Sequence, residues 1–327
     1  MPDYYRHEVT PGIVHLGVGQ FSRSHFNLYT DSILNKDPTW GIVGAGIMES
    51  DGHMNDVLQN QDFMYTCVTK GSDDKISARI CGSMVDYIWA GQGPENRLRL
   101  VEQMSDPAIK LVSLTITEKG YTADLTRMVL DHDLPQNNWM KTHSAGNTHK
   151  IDALTQGIAP HMSALSFLTA AIENRRRAEL TPFTVMSCDN LQSNGTLTKN
   201  LLIDYAALFD ESLATYIDEN IQFPNSMVDR ITPKTVQADI DDLHENWGII
   251  DGWPVTAEDF TQFVIEDKFV DGRPPWEAAG ALIVNDVLPY EKMKLRLLNG
   301  GHQCLAYLSA VAGFEKVDEA TRDPIIN

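Results

Sequence analysis

Gly12-Ile13-Val14-His15-Leu16-Gly17-Val18-Gly19-Gln20-Phe21-Ser22-Arg23-Ser24-His25 is the stretch whose reading decides the fold. A short apolar run rich in β-branched residues ends in Gly17-x-Gly19, and helix-compatible sequence continues to about Leu34, so strand, tight turn and helix follow in that order. A dinucleotide-binding fold begins this way. Gly17 permits the tight turn, and Gly19 lets the backbone approach a pyrophosphate whose charge sits at a helix N-terminus. A third glycine of the full motif falls at Ser22, so this segment alone is equally consistent with an ordinary turn.

Working outward, Trp40 to Met48 reads as a second buried strand that ends on Glu49-Ser50-Asp51. An acid at that strand end is where such a fold bonds the adenosine ribose hydroxyls, and it repels the extra phosphate of NADP. Glu49 and Asp51 are both candidates, and either favours NAD. Ile109 to Ile116 is a third strand. A long amphipathic helix from about Asp152 to Arg177 leads into a fourth, Pro182 to Ser187, which exits at Cys188-Asp189-Asn190. Strands alternating with helices predict an α/β fold with a doubly wound, Rossmann-type, mainly parallel sheet. Its ligands gather at strand C-terminal ends. The runs Phe63 to Val68 and Lys75 to Ile80 alternate as strands do, with their pairing open.

The 327 residues, 43% of them hydrophobic, suffice for one large or two ordinary domains with a substantial core. A net charge of −19 disfavours nucleic acid or an anionic membrane as partner. No segment approaches the roughly 18 uninterrupted apolar residues of a membrane span. Together these point to a cytoplasmic protein with a small-molecule ligand. Cys67, Cys81, Cys188 and Cys304 are scattered without metal-ligand spacing, so no metal is expected.

After Trp276 the character changes. Pro289-Tyr290-Glu291 opens a helical stretch that runs through Lys294, Asn299 and His302 towards Leu308. At about 100° per residue these three lie at roughly 0°, 140° and 80° around the axis, one face over about 12 Å. An amine, an amide and an imidazole would then point the same way, unless Lys294 is simply solvated and Asn299-Gly300-Gly301 marks a helix end.

Six separated blocks together resemble the polyol-specific long-chain dehydrogenases of the mannitol dehydrogenase family. They are residues 13–25, Val112 to Glu118, Phe183 to Asn190, Phe223 to Pro233, Val264 to Phe269, and Lys294-x4-Asn299-x2-His302. The resemblance spans nearly the whole chain. It implies a metal-free, NAD-dependent enzyme that interconverts a sugar alcohol, mannitol-like at C2, and a ketose, fructose. Lys294 matches the family's general base, a role that near neutral pH requires surroundings favouring the neutral amine. Asn190 and Asn299 match amides that donate to the substrate oxygen as charge develops there. His302 would position the substrate, Glu291 matches a carboxylate gating proton passage from Lys294, and Asp229 matches a polar residue lining the site. Gly17, Gly19, Phe21, Glu49 and Asp51 are the residues expected on the cofactor side.

Residues 1–284 are therefore expected to form the NAD-binding domain, and 285–327 the first helices of an all-α substrate domain. Family members run longer, so a C-terminally truncated chain is expected, with exposed apolar helix faces and a monomeric or weakly self-associating state. Two alternatives remain open at this point: a hexuronate (fructuronate or tagaturonate) reductase, which needs a positive charge for the substrate carboxylate, and an inactive NAD-binding protein.

Overall fold

In the computed structural model, which describes residues 2–71, 75–135, 137–138 and 147–324, the quoted stretch begins with a strand, β1 (Pro11–Leu16), buried from Gly12 onward. The other strands are β2 (Gly41–Gly46), β3 (Tyr65–Lys70), β4 (Ile76–Cys81), β5 (Met84–Trp89), β6 (Leu111–Leu114), the short pair β7 (Ala123–Asp124) and β8 (Val129–Leu130), β9 (Thr184–Ser187), β10 (Ser226–Asp229), β11 (Val255–Glu258), β12 (Gln262–Glu266) and β13 (Leu282–Val284).

Five strands form one parallel sheet in the order β5-β2-β1-β6-β9. From β1 the chain winds outward through β2 to β5, then returns to β6 and β9 on the other side of β1. The predicted doubly wound sheet is thus present, with its switch point between β1 and β6. The side-chain period of 2 divides β1 between two layers. Val14 and Leu16 join the core containing Leu100, Leu165 and Phe167. Ile13 joins the opposite one, with Phe26, Phe263 and Trp276.

The two runs whose pairing the sequence left open form an antiparallel hairpin, β3 with β4, and β11 adds to β3 in parallel. A third sheet has the order β10-β12-β13.

Two helices differ from expectation. The predicted helix from Asp152 to Arg177 is two helices, Asn147–Thr155 and Ala164–Arg177. Between them Gly157 adopts φ +68, and a Cβ there would lie 2.5 Å from the Leu98 amide nitrogen. Pro160 follows, and Ser163 caps the second helix by accepting the Ser166 N–H at 3.3 Å. That helix is buried without a break from Ala164 to Glu173, so it is a core helix and not an amphipathic one. The helix after Gly19 is also interrupted: Gln20–Ser24 and Phe26–Asp31 meet at His25, whose backbone (φ −121, ψ −89) is not helical.

Residue contacts divide the chain into two compact units, Met1–Val284 and Asn285–Asn327. The second is helical: Leu288–Met293, a π-helical segment Lys294–Asn299, Gly300–Ala312 and Val317–Ala320. No helix of the described residues is long and apolar enough to cross a membrane.

Candidate active site

All five parallel strands deliver their C-terminal ends to one edge, and the switch point there is built around Gly17. Its φ of +87 is a left-handed conformation, and a Cβ would stand 2.5 Å from the Thr115 carbonyl oxygen, so both torsion and space require glycine. The Gly17 amide donates to Ala45 O at 2.9 Å. Gly19 is extended (φ −134), and a Cβ there would meet nothing nearer than Gly17 O at 3.9 Å. The space beside it is therefore left open by the protein, as the close approach of a pyrophosphate requires. At the position of the missing third glycine, buried Ser22 accepts the Gly19 N–H at 3.0 Å and donates to Gly19 O at 3.2 Å. A hydroxyl thus holds the turn, and the Gly19 amide is engaged within it. Phe21 is half-buried and stacks on His25 with centroids 4.9 Å apart.

A relay that the sequence reading missed supports this turn from below. His15, fully buried, places Nδ1 2.8 Å from Ser113 Oγ and Nε2 2.8 Å from Thr115 Oγ1. The Thr115 hydroxyl donates its proton to Gly17 O at 2.8 Å. It must then accept from Nε2–H, which leaves Nδ1 to accept from Ser113. Burial lowers the imidazole pKa to about 3, so the ring is neutral. The available signal was a polar residue within an otherwise apolar strand, with Ser113 on β6 and Thr115 just beyond its end at matching parity.

At the exit of β2, Glu49 is exposed while Asp51 is half-buried. Asp51 Oδ2 accepts the Met48 N–H at 2.9 Å, and the Trp89 indole N–H donates to Met48 O at 3.0 Å. Of the two predicted ribose acids, Asp51 holds the turn through Oδ2, and Glu49 is the more exposed.

At the exit of β9, Asp189 is buried and Asn190 beside it is exposed. The Asp189 carboxylate accepts the backbone N–H groups of Ile116 and Thr117, at 3.2 and 2.8 Å, and the Tyr121 hydroxyl at 2.8 Å. Burial pushes its pKa up while these donors pull it down, with a net shift upward. Asp229 ends β10 and is half-buried.

Within the second unit, Glu291 is half-buried, Lys294 buried, Asn299 half-buried and His302 exposed. An ideal α-helix advances about 100° per residue. The π-helical turn from Lys294 to Asn299 has a wider i→i+5 winding, which changes the angular step between those two residues. The predicted residues thus form two groups: Gly17, Gly19, Phe21, Glu49, Asp51, Asn190 and Asp229 in the first unit, and Glu291, Lys294, Asn299 and His302 along one helical rod in the second.

Comparison with known proteins follows the same division. The family model described as the mannitol dehydrogenase Rossmann domain matches residues 11–278, and that described as the mannitol dehydrogenase C-terminal domain matches residues 286–327. The chain is 40% identical to mannitol dehydrogenase DSF1 of Saccharomyces cerevisiae, over 100% of this chain and 62% of that protein. It is likewise 40% identical to a mannitol 2-dehydrogenase of Aspergillus fumigatus, over 99% of this chain and 63% of the relative. Among solved structures it is similar to a substrate-free D-sorbitol dehydrogenase, with TM-score 0.89 and 36% identity over 99% of this chain and 64% of that one. The Pseudomonas fluorescens mannitol 2-dehydrogenase, solved as a ternary complex with NAD and D-mannitol, gives TM-score 0.86 and 39% identity over 99% and 63% of the two chains. The chain thus spans less than two thirds of the length of these relatives.

Proposed function

The chain belongs to the mannitol dehydrogenase family, and on that premise we propose that it is an NAD-dependent polyol dehydrogenase, oxidising a mannitol-like sugar alcohol at C2 to the ketose fructose and catalysing the reverse. The observation that carries this reading is the Gly17–Gly19 turn at the switch point of a parallel sheet, with open space at Gly19 and an exposed acid, Glu49, at the neighbouring strand end. The likeness to an enzyme solved with NAD and D-mannitol supports it.

Residues 1–284 would hold NAD, with Gly17, Gly19 and Phe21 at the pyrophosphate side and Glu49 on the ribose, Asp51 shaping the turn beneath. The acids repel an additional phosphate, which favours NAD over NADP. When bound, NAD supplies the carbon that accepts hydride. Lys294 takes the hydroxyl proton, and Glu291 gates its passage to water. Asn190 and Asn299 donate hydrogen bonds to the substrate oxygen as negative charge develops, a task that needs no metal. His302 orients the substrate, Asp229 lines the site, and residues 285–327 begin the helical substrate domain. We assign the enzyme to the cytoplasm.

The test is turnover of D-mannitol with NAD by a chain that carries the complete helical domain, repeated for Lys294→Ala in that chain. Cofactor affinity should stay nearly unchanged while kcat falls by roughly two to four orders of magnitude, the share supplied by general-base catalysis. Near-wild-type turnover in the variant removes Lys294 as base. No oxidation of any polyol by a chain that carries the complete helical domain overturns the reading as a whole.

A further inference from the structure

We propose that Asp189 is a positioning residue for this reaction: its buried carboxylate ties the β9 exit, and with it Asn190, to the β6 exit beside the switch point. The inference rests on the reading above, in which Asn190 donates to the substrate oxygen.

Asp189 is 8% exposed, and each carboxylate oxygen is engaged. Oδ1 accepts the Thr117 N–H at 2.8 Å, and Oδ2 accepts the Ile116 N–H at 3.2 Å and the Tyr121 hydroxyl at 2.8 Å. Thr117 has φ +60, a conformation that a β-branched residue adopts rarely and only where its surroundings enforce it. The Thr117 N–H in this conformation makes the charge-assisted bond to Asp189. Because the Tyr121 proton goes to Asp189, the 2.6 Å contact between Tyr121 and Ser187 has the serine as donor. Ser187 Oγ in turn accepts the Asp189 N–H at 3.2 Å, which closes a ring of bonds around the carboxylate.

The main chain is pinned on both sides of Asn190 as well. The Cys188 N–H donates to Leu114 O at 2.8 Å, joining the β6 and β9 exits directly. On the far side, Asp189 O accepts the Leu191 N–H at 2.8 Å and Asn194 Nδ2 at 3.0 Å. Asn194 is itself buried and anchored to Ser226 at the start of β10, accepting its N–H at 2.9 Å and donating to its carbonyl at 3.0 Å. An exposed amide thus stands on a turn that Cys188, Asp189 and Asn194 fix to the neighbouring strand exits. A side chain that must donate to a developing oxyanion needs this kind of support, since a displacement of about 1 Å can cost on the order of 100-fold in rate.

A double-mutant cycle on kcat, with D-mannitol and NAD as substrates and every variant made in a chain that carries the complete helical domain, tests the assignment. Asn190→Ala should lower kcat by about 100- to 1,000-fold if it donates to the oxyanion. Asp189→Asn should lower kcat by on the order of 10- to 100-fold with little change in NAD affinity, because it misplaces that donor. The double variant should then match Asn190→Ala to within about twofold, the scatter expected when the second change acts only through the first. Multiplication of the two losses would overturn the inference, since a purely structural carboxylate weakens the enzyme whether or not Asn190 is present. Should Asp189→Asn fail to fold, Tyr121→Phe, which removes one donor and keeps the ring, enters the same cycle under the same criterion. Turnover by the unsubstituted chain with the complete helical domain, together with independent losses, sinks this inference alone; no turnover, or an Asn190→Ala variant as active as the unsubstituted chain, sinks it together with the role given to Asn190.

Discussion

His15 shows what a single buried polar residue controls. Its imidazole titrates at about 3 in the fold against an ordinary 6.5. Between those values the unfolded chain carries a proton that the folded chain does not, so stability rises with pH across this window and is lost as pH falls from 6.5 towards 3. Replacing His15 with Gln keeps a donor and an acceptor but removes the titration. Urea unfolding at pH 7 and pH 5 should therefore show a smaller acid loss in the variant, and equal losses would mean that other groups dominate. Gly17→Ala acts on the same turn from above. Its φ of +87 and the Thr115 carbonyl at 2.5 Å make even a methyl group costly, by more than ~1 kcal/mol from torsion alone. NAD affinity should fall at least about tenfold, the binding equivalent of 1.4 kcal/mol, in an isothermal titration.

Elements obey local signals until packing overrules them. The strand–turn start at residues 12–19 and the strands ending at Gly46, Leu114 and Ser187 were legible, to within two residues at their ends, because continuous apolar runs bounded by turn residues allow little else. The joint between Thr155 and Ala164 was not read, although Gly157, Pro160 and Ser163 carry it in plain view. A helical apolar pattern on both sides concealed the break. Removing the Ser163 cap by Ser163→Ala should cost about 1 kcal/mol in thermal or urea unfolding. A loss near zero would mean that packing of the buried Ala164–Arg177 helix holds the joint unaided. At the β2 exit, Trp89→Phe removes the N–H that holds Met48 O while retaining the ring. The ratio of NAD to NADP affinity should then fall, because the turn carrying Glu49 slackens, and an unchanged ratio would show that the turn stands without Trp89.

Charge and exposed apolar surface act on the molecule as a whole. The net charge of −19 opposes contact between copies, whereas the second unit exposes Leu295, Leu297, Tyr307 and Val311, the last at 90%. Salt screens the first effect and leaves the second. Sedimentation should therefore show weak self-association that strengthens with protein concentration and with salt, and Leu297→Gln with Val311→Gln should reduce it. One ideal species under all conditions would contradict this. By itself the sequence determined the parallel doubly wound sheet and the glycine turn, because apolar periodicity and glycine's torsional freedom act within a few residues of each other along the chain. Only the tertiary structure decided that Ser22 holds the turn, that Asp51 braces Met48 while Glu49 is exposed, and that His15 and Asp189 stand beneath the strand ends. Their partners, Thr115 for His15 and Thr117 for Asp189, lie 100 and 72 residues away. No local pattern encodes which buried polar group meets which. That pairing follows from strand order and register, where each buried donor or acceptor must find a partner or pay the cost of desolvation.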